Sequence, residues 1–203
     1  MKNKHFSKHS REKQIISAAD HVLKELGAYD FTIDKVVAHL MVAKGTIYKY
    51  YKSKDDILAE VSVEALSLLL AYFKKALHDE PDLLQATKAM VMSLYKYYTD
   101  NPQYFELIVY MERPEFSSSI KNYLNISQKI RNFFAEHITN CQLAGVMKKN
   151  LNPTYATYMI WAGCIGLMNF IEAKQVFIEE IEKIDRRKLL EVYTDTMMAG
   201  LRT

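Results

Sequence analysis

Cysteine, proline and glycine are all scarce in this chain: two, four and six of them among 203 residues. Cys141 and Cys164 form no CxxC pair, which excludes a disulfide framework and a four-ligand zinc site and leaves both as small buried hydrophobes. With so little Gly and Pro, and with apolar residues recurring at helical rather than strand spacing, an all-α chain is the economical reading. No apolar run reaches the roughly 18 to 20 residues that a spanning helix needs. The polar N-terminus (Lys2, Lys4, His5, Lys8, His9, Arg11) has no apolar stretch behind it, so a cytoplasmic protein with no membrane partner is expected. Also missing are a Gly-rich phosphate loop after a strand, an HExxH and a GxSxG.

What is present is ordinary globular material, 49% hydrophobic and 25% charged, far from the signature of disorder. The net charge of +3 hides an asymmetry. Residues 1–54 hold eleven Lys and Arg against five Asp and Glu, a net of +6, and residues 55–203 carry a net of −3. Basic charge gathered at one end suggests a polyanion-binding module joined to a neutral or slightly acidic one.

Ile15, Ile16, Ala19, Val22, Leu23 and Leu26 form one stripe of a first helix, with Gly27 as its C-cap. Thr32 caps a second helix of barely two turns, in which Ile33, Val36, Val37 and Leu40 follow the i, i+3, i+4, i+7 pattern. After a break at Met41-Val42, residues 43–50 form a third short helix with Ile47 and Tyr51 inward. Ser53 and Asp56 match a capping box, with Asp55 and Asp56 at the positive end of a long fourth helix that runs to about Leu77 before Pro81. Five more helices follow: Leu83 to Tyr98, Pro102 to Glu112, Ser117 to Leu143, Pro153 to Lys174 and Ile184 to Leu201. That makes about nine in total.

Helices as brief as the second and third are unstable alone and must be held by packing on their longer neighbours. Two short helices across a tight turn are the plan of a helix-turn-helix, whose second helix enters the major groove of double-stranded DNA. Lys44, Thr46, Tyr48, Lys49 and Tyr50 supply donors over less than two turns, and Gly45 removes a side chain where backbone must approach DNA. Lys54, in the first turn of the fourth helix, suits a phosphate.

The stretch from Arg11 to Val61 resembles the DNA-binding domain of the TetR family of transcriptional regulators. The family's recognition segment is close to K-G-T-[LI]-Y-x-Y-F-x-[ST]-K-[ED]-x-L, and this chain reads KGTIYKYYKSKDDIL from Lys44 to Leu58, with Tyr51 for the commoner Phe. By position, the resemblance implies phosphate contacts by Thr32, Tyr48, Tyr50 and Lys54 and groove contacts by Lys44, Gly45, Thr46 and Lys49. Two departures stand out. Met41 replaces the family's usual Gly, so the turn is expected to be shaped differently, and Ala43 replaces a capping Ser or Thr, leaving only its backbone amide and methyl for DNA.

The resemblance further implies two parts: a DNA-binding domain over 1–60, and an all-α domain over 61–203 that encloses a small-molecule pocket and dimerises through its last two long helices. Ala156, Ile160, Gly163 and Leu167 on one helix, and Leu189, Val192, Tyr193, Thr196 and Met197 on the last, are the candidate interface. Ala162, Gly163 and Gly166 allow close helix approach, although the same pattern suits an intramolecular core. For the ligand, the candidates are Tyr95, Tyr98, Phe105, Glu106, Tyr110, Met111, Trp161, Asn169 and Phe170, with Glu172 as a further polar interruption. This lining points to a lipophilic or aromatic small molecule, and equally describes a plain core.

Neither a cofactor nor a metal is called for. His137 and Cys141 form an i, i+4 pair without a third ligand or orienting acid, so no catalytic residue is assigned. The function that emerges is a homodimeric repressor released from a pseudo-palindromic operator by a small molecule. An activator or DNA organiser using the same contacts, and a small-molecule carrier or all-α enzyme without regulatory DNA binding, are the alternatives.

Overall fold

The computed structural model describes residues 8–203, so the expected basic positions Lys2, Lys4 and His5 lie outside the described residues. Nine α-helices and one π-helical turn make up these residues, with no β-strand beyond an isolated bridge between Met147 and Arg202. Among them, no helix is long and apolar enough to cross a membrane.

Local sequence signals account for most of the boundaries. Helix α1 (Lys8–Asp30) is broken at Gly27, whose φ of 77° and ψ of 172° leave the helical region where glycine alone pays no steric penalty. Thr32 opens α2 (Ile33–Leu40) by accepting from the amide of Lys35 at 3.3 Å. Then come α3 (Lys44–Tyr48) and α4 (Lys54–Asp79). Ser53 Oγ accepts from the amide of Asp56 at 3.1 Å, while the Asp56 carboxylate reaches past Ser53 to the amide of Lys52. The capping box is therefore shifted by one residue on its return arm.

After α5 (Leu83–Asp100), α6 (Pro102–Met111) starts with Pro at its first turn, where a missing N–H costs nothing. Helix α7 (Lys121–Leu143) begins four residues later than Ser117, because Ser117 and Ser118 are drawn aside to the carboxylates of Asp55 and Asp56. Asn152 Oδ1 accepts from the amides of Thr154 and Tyr155 to start α8 (Pro153–Ala173). The segment Val176–Ile181 is a π-helical turn that the sequence did not announce, and Asp185 caps α9 (Arg186–Leu201) through the amide of Lys188 at 2.6 Å.

By contact the chain forms two units that interleave along the sequence. The first contains the described residues up to Leu66 together with Asn101–Asn125. There α1 packs on α2 and α6, and Ile15, Leu23, Phe31, Val36, Ile47, Ile57, Leu58 and Leu107 are buried. The second contains Ser67–Asp100 and Ile126–Thr203, where α9 packs on α5 and α8. Its buried residues include Phe73 and Phe134, edge to face at 4.9 Å, with Met90, Tyr97, Ile138, Cys164 and Leu190. Gly163 is dictated by this packing: a Cβ there would stand 1.7 Å from Tyr193 Oη.

Candidate nucleic-acid interface

Helix α3 has five residues, too few to persist without an anchor. Ile47, fully buried, and Tyr51, 6% exposed, provide it. Burial, and then the charges of Glu60 and Glu12, push the Tyr51 phenol well above its usual pKa, so it stays neutral. Everything around this anchor turns outward: Ala43, Lys44, Gly45, Tyr48 and Lys49 are exposed, and Thr46 and Tyr50 are half-buried.

Gly45 is informative because the fold has no use for it. Its φ is not in the left-handed region, and an added Cβ would meet no atom of the protein within 4 Å. A helical position with free space and no backbone constraint would ordinarily favour almost any other residue. Nothing in the fold itself therefore calls for a missing side chain at this position.

The turn before α3 has Met41 at the place where the resemblance expects a glycine. Met41 itself adopts the left-handed conformation, at φ 52° and ψ 45°, and its side chain is 92% exposed. A non-glycine residue thus carries the strain of a left-handed position in this turn. Ala43 caps α3 without any side-chain hydrogen bond, as the absent hydroxyl implies.

Two cations behave differently from a free phosphate ligand. Lys44 Nζ is paired with Asp34 Oδ1 at 2.8 Å, both side chains being at least half exposed, so the pair is easily exchanged for another anion. Lys54, in contrast, is turned inward. Its Nζ donates to the carbonyls of Ala28 at 2.9 Å and Tyr29 at 3.3 Å and lies 4.7 Å from the centroid of the Tyr110 ring. Burial, and then the charge of Arg113, lowers its pKa. The structure thus brings Thr32, Ala43, Lys44, Gly45, Thr46, Tyr48, Lys49 and Tyr50 to the α2–α3 surface and withdraws Lys54 from it.

Residues 15–61 match the model of the bacterial regulatory proteins of the tetR family. This segment is a TetR-family domain. An HTH-type transcriptional regulator of Haemophilus influenzae is 27% identical over 114 residues, 56% of this chain and 61% of the relative. The fatty acid metabolism regulator protein of Bacillus subtilis is 25% identical over 162 residues, 76% of this chain and 79% of the relative. Among solved structures, a transcriptional regulator of Bacillus subtilis in complex with stearoyl-CoA superposes with a TM-score of 0.65 at 19% identity, covering 93% of this chain and 98% of that one. That likeness establishes the shared all-α fold.

The candidate ligand residues fall in both units. Phe105, Tyr110 and Met111 are buried on α6 of the first, and Glu106 there is a partner of backbone amides: its Oε1 accepts from Ala28 N at 2.8 Å and Tyr29 N at 3.2 Å. In the second, Tyr95, Tyr98 and Trp161 are half-buried, and Asn169 and Phe170 are exposed. The Tyr98 hydroxyl donates to the Glu172 carboxylate and accepts from Arg186 at 3.3 Å, an internal network that includes an Arg186–Glu179 pair at 2.6 Å.

The interface stripe of α8 needs a correction of register. Ala156 and Ile160 are 0% and 4% exposed within a single chain, so they are core. The outward face consists instead of Tyr155, Tyr158, Met159, Ala162, Gly166 and Phe170, whereas Gly163 and Leu167 are half-buried. On α9, Val192 and Thr196 are exposed and Leu189, Tyr193 and Met197 half-buried.

His137 and Cys141 do have a third member, Thr87, which no spacing rule links to them. His137 Nε2 lies 2.7 Å from Thr87 Oγ1 and 3.5 Å from Cys141 Sγ, all buried. Burial lowers the His137 pKa and raises that of Cys141, so both are neutral side chains tying α5 to α7.

Proposed function

We propose that this TetR-family regulator is a homodimeric repressor that lays two α3 helices in successive major grooves of a pseudo-palindromic operator and leaves it on binding a lipophilic acyl ligand. The observation that carries the DNA contacts is the outward face of α3, with exposed Lys44, Tyr48 and Lys49 around a Gly45 that the fold does not require. Lys44, Gly45, Thr46 and Lys49 face the groove, and Thr32, Ala43, Tyr48 and Tyr50 hold the backbone. On this reading the DNA grip lies within residues 1–60, and ligand and dimer contacts lie within 61–203.

Dimerisation is supported by the exposed apolar face of α8, from Tyr155 to Phe170, whose Ala162 and Gly166 let a second helix approach. An acyl chain is supported by the fatty acid metabolism regulator of Bacillus subtilis and by the stearoyl-CoA held in the similar fold. It also matches the chemistry of helices rich in Tyr, Phe and Met. To drive release, the ligand must bind the DNA-free arrangement more tightly than the DNA-bound one. On this reading it acts in the cytoplasm, where its operator DNA lies.

Footprinting of the DNA upstream of its own gene, with and without stearoyl-CoA, tests this. Two protected half-sites, about 34 to 36 Å apart along the duplex and lost on adding the acyl-CoA, are expected. Protection indifferent to every acyl-CoA tried would remove the ligand assignment and leave the DNA contacts standing.

A further inference from the structure

The corner between α1 and α2 is held in an unusual way. Gly27 breaks the helix, so the amides of Ala28 and Tyr29 need acceptors other than the preceding turn. Ala28 is fully buried, and a buried amide without a partner is costly. The acceptor is a single atom, Glu106 Oε1 on α6, which takes both amides at 2.8 and 3.2 Å. A Cβ on residue 27 would come within 2.6 Å of the other carboxylate oxygen, so the glycine serves this contact as well as the backbone turn.

The carbonyls of the same two residues face a cation. Lys54 Nζ, from the first turn of α4, donates to Ala28 O at 2.9 Å and Tyr29 O at 3.3 Å. An ammonium has three N–H donors. Two are used here, and the remaining direction is occupied by aromatic faces, Tyr110 at 4.7 Å and Phe31 at 5.9 Å. The segment after α6 closes over the same end of α4: Arg113 stacks on Tyr110 at 3.5 Å and reaches Asp55, the amide of Ser117 donates to Asp55, and the Ser118 hydroxyl donates to Asp56.

Resting on the DNA-binding reading above, we infer that Glu106 and Lys54 are positioning residues for DNA binding, which clamp the Ala28–Tyr29 peptides from opposite sides, and that Lys54 holds no phosphate. The clamp fixes the backbone three residues before Thr32, the cap of α2, and α2 in turn sets the turn at Met41 and the placement of α3. A carboxylate on α6 is thus built into the DNA-binding unit, far from it in sequence.

The test is binding of a labelled random-sequence 30-bp duplex across a salt series by wild type and by Lys54→Met, Glu106→Ala and Glu106→Gln. Loss of one phosphate contact lowers the slope of log K against log salt by about 0.9. The clamp predicts that Lys54→Met and Glu106→Ala weaken binding by about tenfold or more, the scale of hydrogen bonds to charged groups, with the slope unchanged. Glu106→Gln, whose Oε1 still accepts both amides, should bind like wild type. Hydrogen exchange at Ala28 and Tyr29 should quicken in Glu106→Ala and stay slow in Glu106→Gln, a readout that needs no DNA and stands if Lys54→Met fails to fold. A slope lowered by about 0.9 in Lys54→Met, or unchanged affinity and exchange in Glu106→Ala, overturns the clamp. Salt-insensitive or absent duplex binding by the wild type overturns the DNA reading itself, and with it any positioning role, a result separable from the first by the exchange data.

Discussion

Gly45 and Lys54 are separated by nine positions in a motif legible from sequence, yet only one of them sits where the motif implies. Gly45 is exposed with free space around it, so the fold itself does not require a glycine there. Gly45→Ala should raise stability by about 0.5 to 1 kcal/mol, the gain of alanine over glycine within a helix. The same substitution should weaken DNA binding several-fold, because on the proposed docking the new methyl stands between the backbone and the groove. Thermal melts and duplex titrations of one variant check both signs, and a variant that loses stability while binding normally would show the glycine to be structural. Lys54 could not be placed from sequence because its partners are carbonyls 25 and 26 residues away and a ring on α6. Spacing rules see neighbours along a helix, and this lysine's neighbours are brought by tertiary packing.

At the scale of elements, the helix starts were largely readable because caps are local chemistry: Thr32, Ser53 and Asn152 each accept from amides within three residues, and Pro102 opens α6 where its missing N–H has no partner to lose. The exceptions are elements set by distant groups. The π-helical turn Val176–Ile181 lies beside the Arg186–Glu179 and Arg186–Glu172 pairs, which no periodicity encodes. The α2–α3 turn makes a sharper point, since Met41 adopts a conformation that favours glycine. Met41→Gly should stabilise the fold by about 0.5 to 1 kcal/mol, the relieved strain being partly offset by the freer unfolded chain, and calorimetry would register this as a higher Tm with DNA affinity retained. The α5–α7 contact offers a pH test. Burial depresses the His137 pKa in the folded state below the 6.5 of the free side chain. The unfolded state therefore takes up the proton first, so this contribution is complete above about pH 6.5 and is lost as pH falls from there towards the folded pKa. At pH 5.5 the loss should reach up to about 1.4 kcal/mol. Melts at pH 7.5 and 5.5 should show a larger drop for wild type than for His137→Gln, and equal drops would remove His137 as the source.

For the whole molecule, the all-α class and its helix count followed from composition and period, but the joining of Asn101–Asn125 to the N-terminal unit did not, since α6 has no feature that distinguishes it from its neighbours in the chain. The choice between interface and core on α8 was open in the sequence for a similar reason: stripes one residue apart, at Ala156 and Tyr155, are both apolar, and burial alone separates them. The outward stripe predicts that the double variant Tyr158→Lys, Met159→Lys becomes monomeric by light scattering and binds a two-half-site duplex no better than a single half-site. A dimer unaffected by these charges would place the interface elsewhere. The most direct test of DNA binding through α3 is the salt dependence of wild-type binding to the duplex upstream of its gene, compared with Lys44→Ala combined with Lys49→Ala. A steep fall of affinity with salt in the wild type, and affinity for this duplex roughly tenfold or more lower in the variant, the scale of losing base-edge contacts in the groove, is the predicted result. Binding that ignores salt, or a variant with the wild-type affinity, would contradict it.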